Sequence, residues 1–199
     1  MIEIIALDFI RSERRIFKNL NLKVDENSKI CIKGPIGSGK STLFDLLLGF
    51  EAPTSGQIYI GGKQISKKVI SGQVNFIAQN SDLQLLTMEV KKEIEFISRK
   101  TITDEIIEFF QLRPFLKRNP LTLSSSEKRR VLLAGVFLSE LPYLILDEPA
   151  ADLDDQWKTK VFSRILESDK TVLAFSHEEI KGLEQLGIEQ LQDKDPDRD

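Results

Sequence analysis

Gly34-Pro35-Ile36-Gly37-Ser38-Gly39-Lys40-Ser41-Thr42 is the stretch that decides the fold of this chain. It fits the pattern G-x-x-x-x-G-K-[ST], and each residue type in that pattern has a mechanical job. The glycines let the backbone curl until successive amide groups point at one anion. A helix opening at Lys40 aims the positive end of its dipole at the same place. Lys40 is expected to reach the β and γ phosphates of a nucleotide, and Ser41 to put its hydroxyl on Mg²⁺. Such a loop needs a strand before it and a helix after it. Lys29–Lys33 reads as a short apolar strand, and residues 40–48 read as a helix that Gly49 stops.

Further along, Tyr143-Leu144-Ile145-Leu146 is a short apolar run that ends in Asp147-Glu148-Pro149, the texture of a buried parallel strand. Ligands of α/β sheets collect at the C-terminal ends of their strands. There Asp147 suits Mg²⁺, and Glu148 can polarise a water toward a phosphate. Residues 171–175 repeat the apolar texture and end in Ser176-His177, the one histidine of the chain. Residues 2–7, 20–24, 57–60 and 74–77 read as further strands. From 88 to 115 the spacing turns helical, with Ile94, Phe96, Ile106, Phe109 and Phe110 expected in a core. Residues 125–139 form another helical stretch. α/β elements thus flank a helical middle over about 83–138, and the polar run 193–199 is expected to fray.

Composition narrows the function classes. The chain has 199 residues, 28 Lys+Arg against 31 Asp+Glu and a net charge of -3, which gives no broad basic face for nucleic acid. No apolar run approaches the ~20 residues of a membrane-spanning helix, and no signal peptide is apparent. A single cysteine, Cys31, excludes an internal disulfide and a multi-cysteine zinc site, and its strand position predicts burial.

Taken in order, these motifs resemble the ABC-type ATPases, the nucleotide-binding subunits of ABC transporters. Gln79, in Phe76-Ile77-Ala78-Gln79-Asn80, is similar to that family's Q-loop glutamine, which touches Mg²⁺ and the attacking water. Leu123-Ser124-Ser125-Ser126-Glu127 stands where the family has its LSGGQ signature. Asp147 and Glu148 look like the Walker B pair, Ala151-Asp152-Leu153-Asp154 like the D-loop, and His177 like the switch histidine. Residues 79–85 and 128–136 resemble the energy-coupling-factor subgroup. The resemblance implies a single α/β domain over 1–199, a P-loop NTPase of ABC type. It would combine an antiparallel β subdomain, a mainly parallel core sheet flanked by helices, and a short helical subdomain.

The same resemblance implies ATP and Mg²⁺ as ligands, with Glu148, His177 and Gln79 catalytic and Ser41, Gln79 and Asp147 on the metal. It implies a head-to-tail pair of ATPase subunits, alike or different, and integral membrane partners at the cytoplasmic face of the membrane. The region 83–88 would help receive a helix of the membrane partner. Transport of a vitamin or metal ion is the implied task; a regulatory, poorly catalytic subunit or a soluble non-transport ATPase are the alternatives. Only 82 residues separate Lys40 from Leu123, with no heptad run, which argues against the coiled-coil ABC proteins of DNA repair. Length also departs from the family: 22 residues follow His177 where relatives carry more.

Two departures bear on the chemistry. In the signature, Ser124 keeps the hydroxyl that meets a γ-phosphate across the dimer, while Ser125 and Ser126 replace glycines and Glu127 replaces glutamine. The expected result is an asymmetric dimer in which this chain supplies the poorer signature. The aromatic that stacks on adenine is also missing, and aligning 7–11 with the family's L-S-F-x-Y puts Arg11 at that position, where a guanidinium plane can stack on a base.

Overall fold

A computed structural model describes residues 1–193. Of the run expected to fray, Asp193 is tied back to the first sheet: its amide donates to Lys18 O (3.1 Å) and its carboxylate accepts from Asn19 Nδ2 (3.2 Å). The remainder of that run lies outside the described residues.

The chain opens with a long antiparallel hairpin, β1 (Ile2–Arg11) and β2 (Arg14–Val24). With β4 (Ser55–Ile60) and β5 (Lys63–Gln64) it forms a four-stranded sheet in the order β2-β1-β4-β5. A second sheet contains β3 (Lys29–Lys33), β6 (Val74–Ile77), β7 (Tyr143–Asp147), β8 (Thr171–Ser176) and β9 (Glu184–Gly187). Its order is β6-β7-β8-β3-β9, and every pairing in it is parallel.

Alternation along these strands explains the two cores. Ile30, Ile32, Ile145, Leu173 and Phe175 point to one face, where they meet the antiparallel sheet and helix α1 (Lys40–Leu47). Phe44 of α1 packs edge-on against Phe76 and Phe175, with ring centroids 6.1 and 6.2 Å apart. Cys31, Leu144, Leu146, Val172 and Ala174 point to the other face. That face is covered by α3 (Val90–Ser98), α4 (Asp104–Phe109), α5 (Ser125–Leu138) and α6 (Asp155–Glu167). Each aliphatic or aromatic side chain buried there is worth about 1.5–3 kcal/mol. Helix α2 (Lys67–Gln73) buries none of its residues and sits at the edge.

Two close contacts hold the helical part together and join it to α6. Gly135 lets α5 approach α3, since a Cβ there would lie 2.7 Å from Ile97. Trp157 of α6 stacks on Phe110, with planes 4° apart and centroids separated by 6.3 Å. Ile94, Ile106 and Phe110 are buried as the helical spacing predicts, but Phe96 is 59% exposed. It lies on the outer side of α3, whose inner side is already filled by Val90, Ile94 and Ile97.

Candidate functional site

Register brings the chemistry together. Lys33 at the end of β3 pairs with Ser176 at the end of β8, and Asp147 at the end of β7 pairs with Phe175. Three parallel strands therefore finish at one edge, and the loops leaving them face a common cavity of about 560 Å³. Ile36, Gly37, Gly39, Lys40, Ser41 and Thr42 line it from the phosphate loop; Gln79, Asp147, Glu148 and His177 complete it.

The loop is shaped by backbone that only glycine takes easily. Gly39 has φ +104°, and a Cβ there would strike the Phe17 ring at 2.9 Å. Lys40 curls back on the loop, its Nζ donating to Gly34 O (2.6 Å) and Pro35 O (3.0 Å). Ser38 Oγ is buried without a hydrogen-bond partner. Gly34 and Pro35 thus serve the loop through their carbonyls rather than as cavity walls.

Ser41 donates to Asp147 Oδ2 at 3.2 Å. Burial pushes the Asp147 carboxyl up to about 6; the Ser41 bond opposes this and the neighbouring Glu148 charge adds to it. A hydroxyl and a carboxylate side by side are hard oxygen donors of the kind Mg²⁺ takes, with phosphate oxygens completing the set. Among the described residues no three His, Cys, Asp or Glu side chains converge as an all-protein metal cage.

Glu148 comes next, in left-handed backbone with φ 48°, a conformation that costs a non-glycine residue roughly 1–2 kcal/mol. Its amide donates to Phe175 O (2.9 Å), so the turn is anchored to β8. Its carboxylate is held at three points, accepting from the His177 amide (2.9 Å) and Ser176 Oγ (3.3 Å) and lying 2.8 Å from His177 Nδ1. The Glu148 side chain is 14% exposed and that of His177 54%.

One residue expected at the site is elsewhere. Arg11 turns away from the cavity; its Nη2 lies 3.2 Å from Glu51 Oε1 and its guanidinium 5.4 Å over Phe9. Arg14 and Ile16 line the cavity instead. The turn after Arg11 is two residues long and sets Arg14 directly opposite it, a register that an alignment along one strand does not carry. Ser124, expected to act across a dimer, is outside this cavity and exposed at the N-terminus of α5. There Glu127 donates its amide to Ser124 Oγ (3.3 Å), while its carboxylate accepts from Ser124 N (2.8 Å) and Ser124 Oγ (2.9 Å). This is a complete capping box. The Ser124 amide and hydroxyl bonds hold the Glu127 carboxyl below its ordinary value. The cavity also takes in Asp152 of the D-loop stretch, and Lys158, which belongs to no motif.

The family model for the ABC transporter matches residues 17–151. The chain belongs to the ABC transporter ATP-binding family. This ABC domain is 35% identical over 182 residues to the energy-coupling factor transporter ATP-binding protein EcfA2 of Acetivibrio thermocellus, covering 83% of this chain and 65% of that one. It is 33% identical over 183 residues to EcfA1 of Mycoplasmopsis pulmonis, covering 84% and 69%. The ABC domain thus spans about two thirds of the length of these relatives. Its structure resembles cbiO1 from Clostridium perfringens, part of the ABC transporter complex cbiONQ, with a TM-score of 0.74 and 26% identity over 90% of this chain and 80% of that one. The P-loop fold and the two sheets are those of an ABC ATPase cassette, as the motif order implied.

Proposed function

We propose that the chain is an ATP-hydrolysing subunit that powers a membrane transporter of the energy-coupling-factor type, importing a vitamin or a metal ion. The observation that carries this is the convergence of Lys40, Ser41, Gln79, Asp147, Glu148 and His177 on one cavity at the ends of parallel strands. In this reading the backbone N–H groups of 36–42 and Lys40 cradle the phosphates of ATP, with Gly34 and Pro35 shaping the loop. Ser41, Asp147 and Gln79 hold Mg²⁺, which neutralises charge on the phosphate oxygens when bound. Glu148 releases its hold on His177 and orients a water against the γ-phosphorus. The new bond joins water oxygen to phosphorus, the bond from phosphorus to the β-bridging oxygen breaks, and the water's proton passes to Glu148. His177, freed from that contact, donates to the γ-phosphate. Arg14 and Ile16 form the platform for the base.

Ser124 is exposed and outside its own chain's cavity, which supports a head-to-tail dimer where it faces the partner's ATP. With Ser125, Ser126 and Glu127 in its signature, this chain is the weaker donor of an asymmetric pair. No helix among the described residues is long and apolar enough to cross a membrane. Leu83, Leu86 and Met88 are 69–78% exposed just after Gln79, which supports docking of a membrane subunit on the cytoplasmic face. The test is to isolate the chain from membranes with whatever accompanies it and measure ATP hydrolysis. Glu148→Gln is expected to cut the rate 10²–10³-fold while ATP binding persists. Equal rates for the two proteins would sink the proposal.

A further inference from the structure

Arg129 is the largest of the fully buried side chains, a guanidinium at 0% exposure on α5. Burying a cation costs free energy unless its donors are used well. None of the ion pairs among the described residues includes Arg129; the charges of Asp152, Asp147 and Glu148 act on it only at longer range. It forks across two consecutive backbone carbonyls instead, Nη1 to Ala78 O at 3.0 Å and Nη2 to Gln79 O at 2.6 Å. Those carbonyls belong to the two peptide planes on either side of the Gln79 Cα. A peptide unit is planar, so a residue has only two soft backbone dihedrals. Gripping both flanking planes fixes both dihedrals of Gln79, and with them the direction in which its side chain leaves the backbone. Neighbouring contacts brace the same segment. Ala78 N donates to Gln84 Oε1 (2.7 Å), and Lys128, next to Arg129, reaches Asp82 at 2.7 Å.

We propose that Arg129 is a positioning residue that aims Gln79 into the cavity by clamping the two peptide planes around it. The inference rests on the reading of that cavity as a Mg²⁺–nucleotide site with Gln79 among the metal's partners. A planar fork matches two adjacent carbonyls; a lysine ammonium cannot reproduce it.

The test is a Mg²⁺ titration of nucleotide binding by the purified chain, with thermal unfolding measured alongside. Proteins compared are wild type, Arg129→Lys, Arg129→Met, Gln79→Ala, the Arg129→Lys/Gln79→Ala double variant and Lys40→Ala. Groups that orient metal ligands are typically worth 10–100-fold in metal affinity. Arg129→Lys and Gln79→Ala are therefore each expected to raise the Mg²⁺ midpoint about tenfold. Nucleotide affinity in EDTA should stay within about twofold, and the double variant should be no worse than Gln79→Ala. Arg129→Lys keeps the buried charge and serves as the readout if Arg129→Met does not fold. A lowered unfolding temperature with an unmoved Mg²⁺ midpoint would make Arg129 merely structural and overturn the proposal, as would additive losses in the double variant. The control separates the two ideas. If Lys40→Ala leaves nucleotide affinity intact, the cavity itself has been misread; if it abolishes binding while Arg129→Lys leaves the midpoint unmoved, only the clamp fails.

Discussion

The strand-end cavity and the N-terminus of α5 are both suited to hold phosphate, yet they stand in opposite states of readiness. In the cavity, the acids stand against donors that a ligand can replace: Asp147, raised to about 6 by its burial, takes one bond from Ser41, and Lys40 rests on the Gly34 and Pro35 carbonyls until an anion arrives. At α5 the groups are spent. The amide and hydroxyl of Ser124 both donate to Glu127, whose carboxylate already occupies the positive end of the helix. A phosphate arriving there has to displace an anion built into the same chain. The glutamate in place of glutamine thus does more than add charge: an ionised oxygen holds the Ser124 donors more strongly than a neutral amide oxygen would.

This contrast can be broken or sharpened by experiment. The largest effect is expected from the triple change Ser125→Gly, Ser126→Gly and Glu127→Gln. By freeing Ser124 it should raise hydrolysis by the purified chain roughly 10²-fold, the worth of one well-placed donor to a developing oxyanion. ATP affinity of the isolated chain should not move, since Ser124 is outside its own cavity. An unchanged rate would mean that α5 does not serve a second nucleotide. A smaller effect tests the cavity's other end. Arg14→Ala should weaken ATP about fivefold, as expected for loss of about 1 kcal/mol of cation–π contact, and leave tripolyphosphate binding alone. Equal losses for both ligands would show that Arg14 meets phosphate rather than base, and an Arg11→Ala variant should behave as wild type. The smallest effect is on stability. The Glu127 carboxyl is lowered in the folded chain, so its capping contribution is complete above the unfolded value of 4.5 and fades as pH falls through the lower folded value. The stability difference between wild type and Glu127→Gln, tracked by denaturant titration, should therefore be constant at neutral pH and change only in that acid window.

Motifs that are contiguous in the chain were readable from the sequence, because the fold hardly has to intervene. The phosphate loop, the pair Asp147-Glu148 and His177 each sit at the end of an apolar strand, and parallel register alone brings those ends together. Which hairpin residue faces the cavity, Arg14 rather than Arg11, was not legible for the opposite reason. It depends on how two strands face each other, and the β1–β2 hairpin has register shifts and left-handed residues at Ala6, Ser12, Glu13 and Asn19. Phe96 was misread because its spacing is as helical as that of Ile94; only the neighbour packed on α3 decides which side is covered. Helix α2 only half-buries Val69 and Ile70, and β9, with a single apolar residue in Glu184–Gly187, lacks the texture of a strand, so neither left a strong hydrophobic signature to read. Arg129 looked like one more basic residue after the signature; its total burial comes from the packing of α5 over residues 78 and 79.

Trp157 has a use beyond packing. It is the one tryptophan of the chain, it belongs to α6, and its indole lies flat against Phe110 from the helical part with the Arg130 guanidinium 4.8 Å from its ring. A shift of the helical part relative to α6 would slide that ring and that cation across the chromophore. The protein thus carries its own optical gauge: the colour and yield of its intrinsic emission report the separation of the two halves, with no label attached.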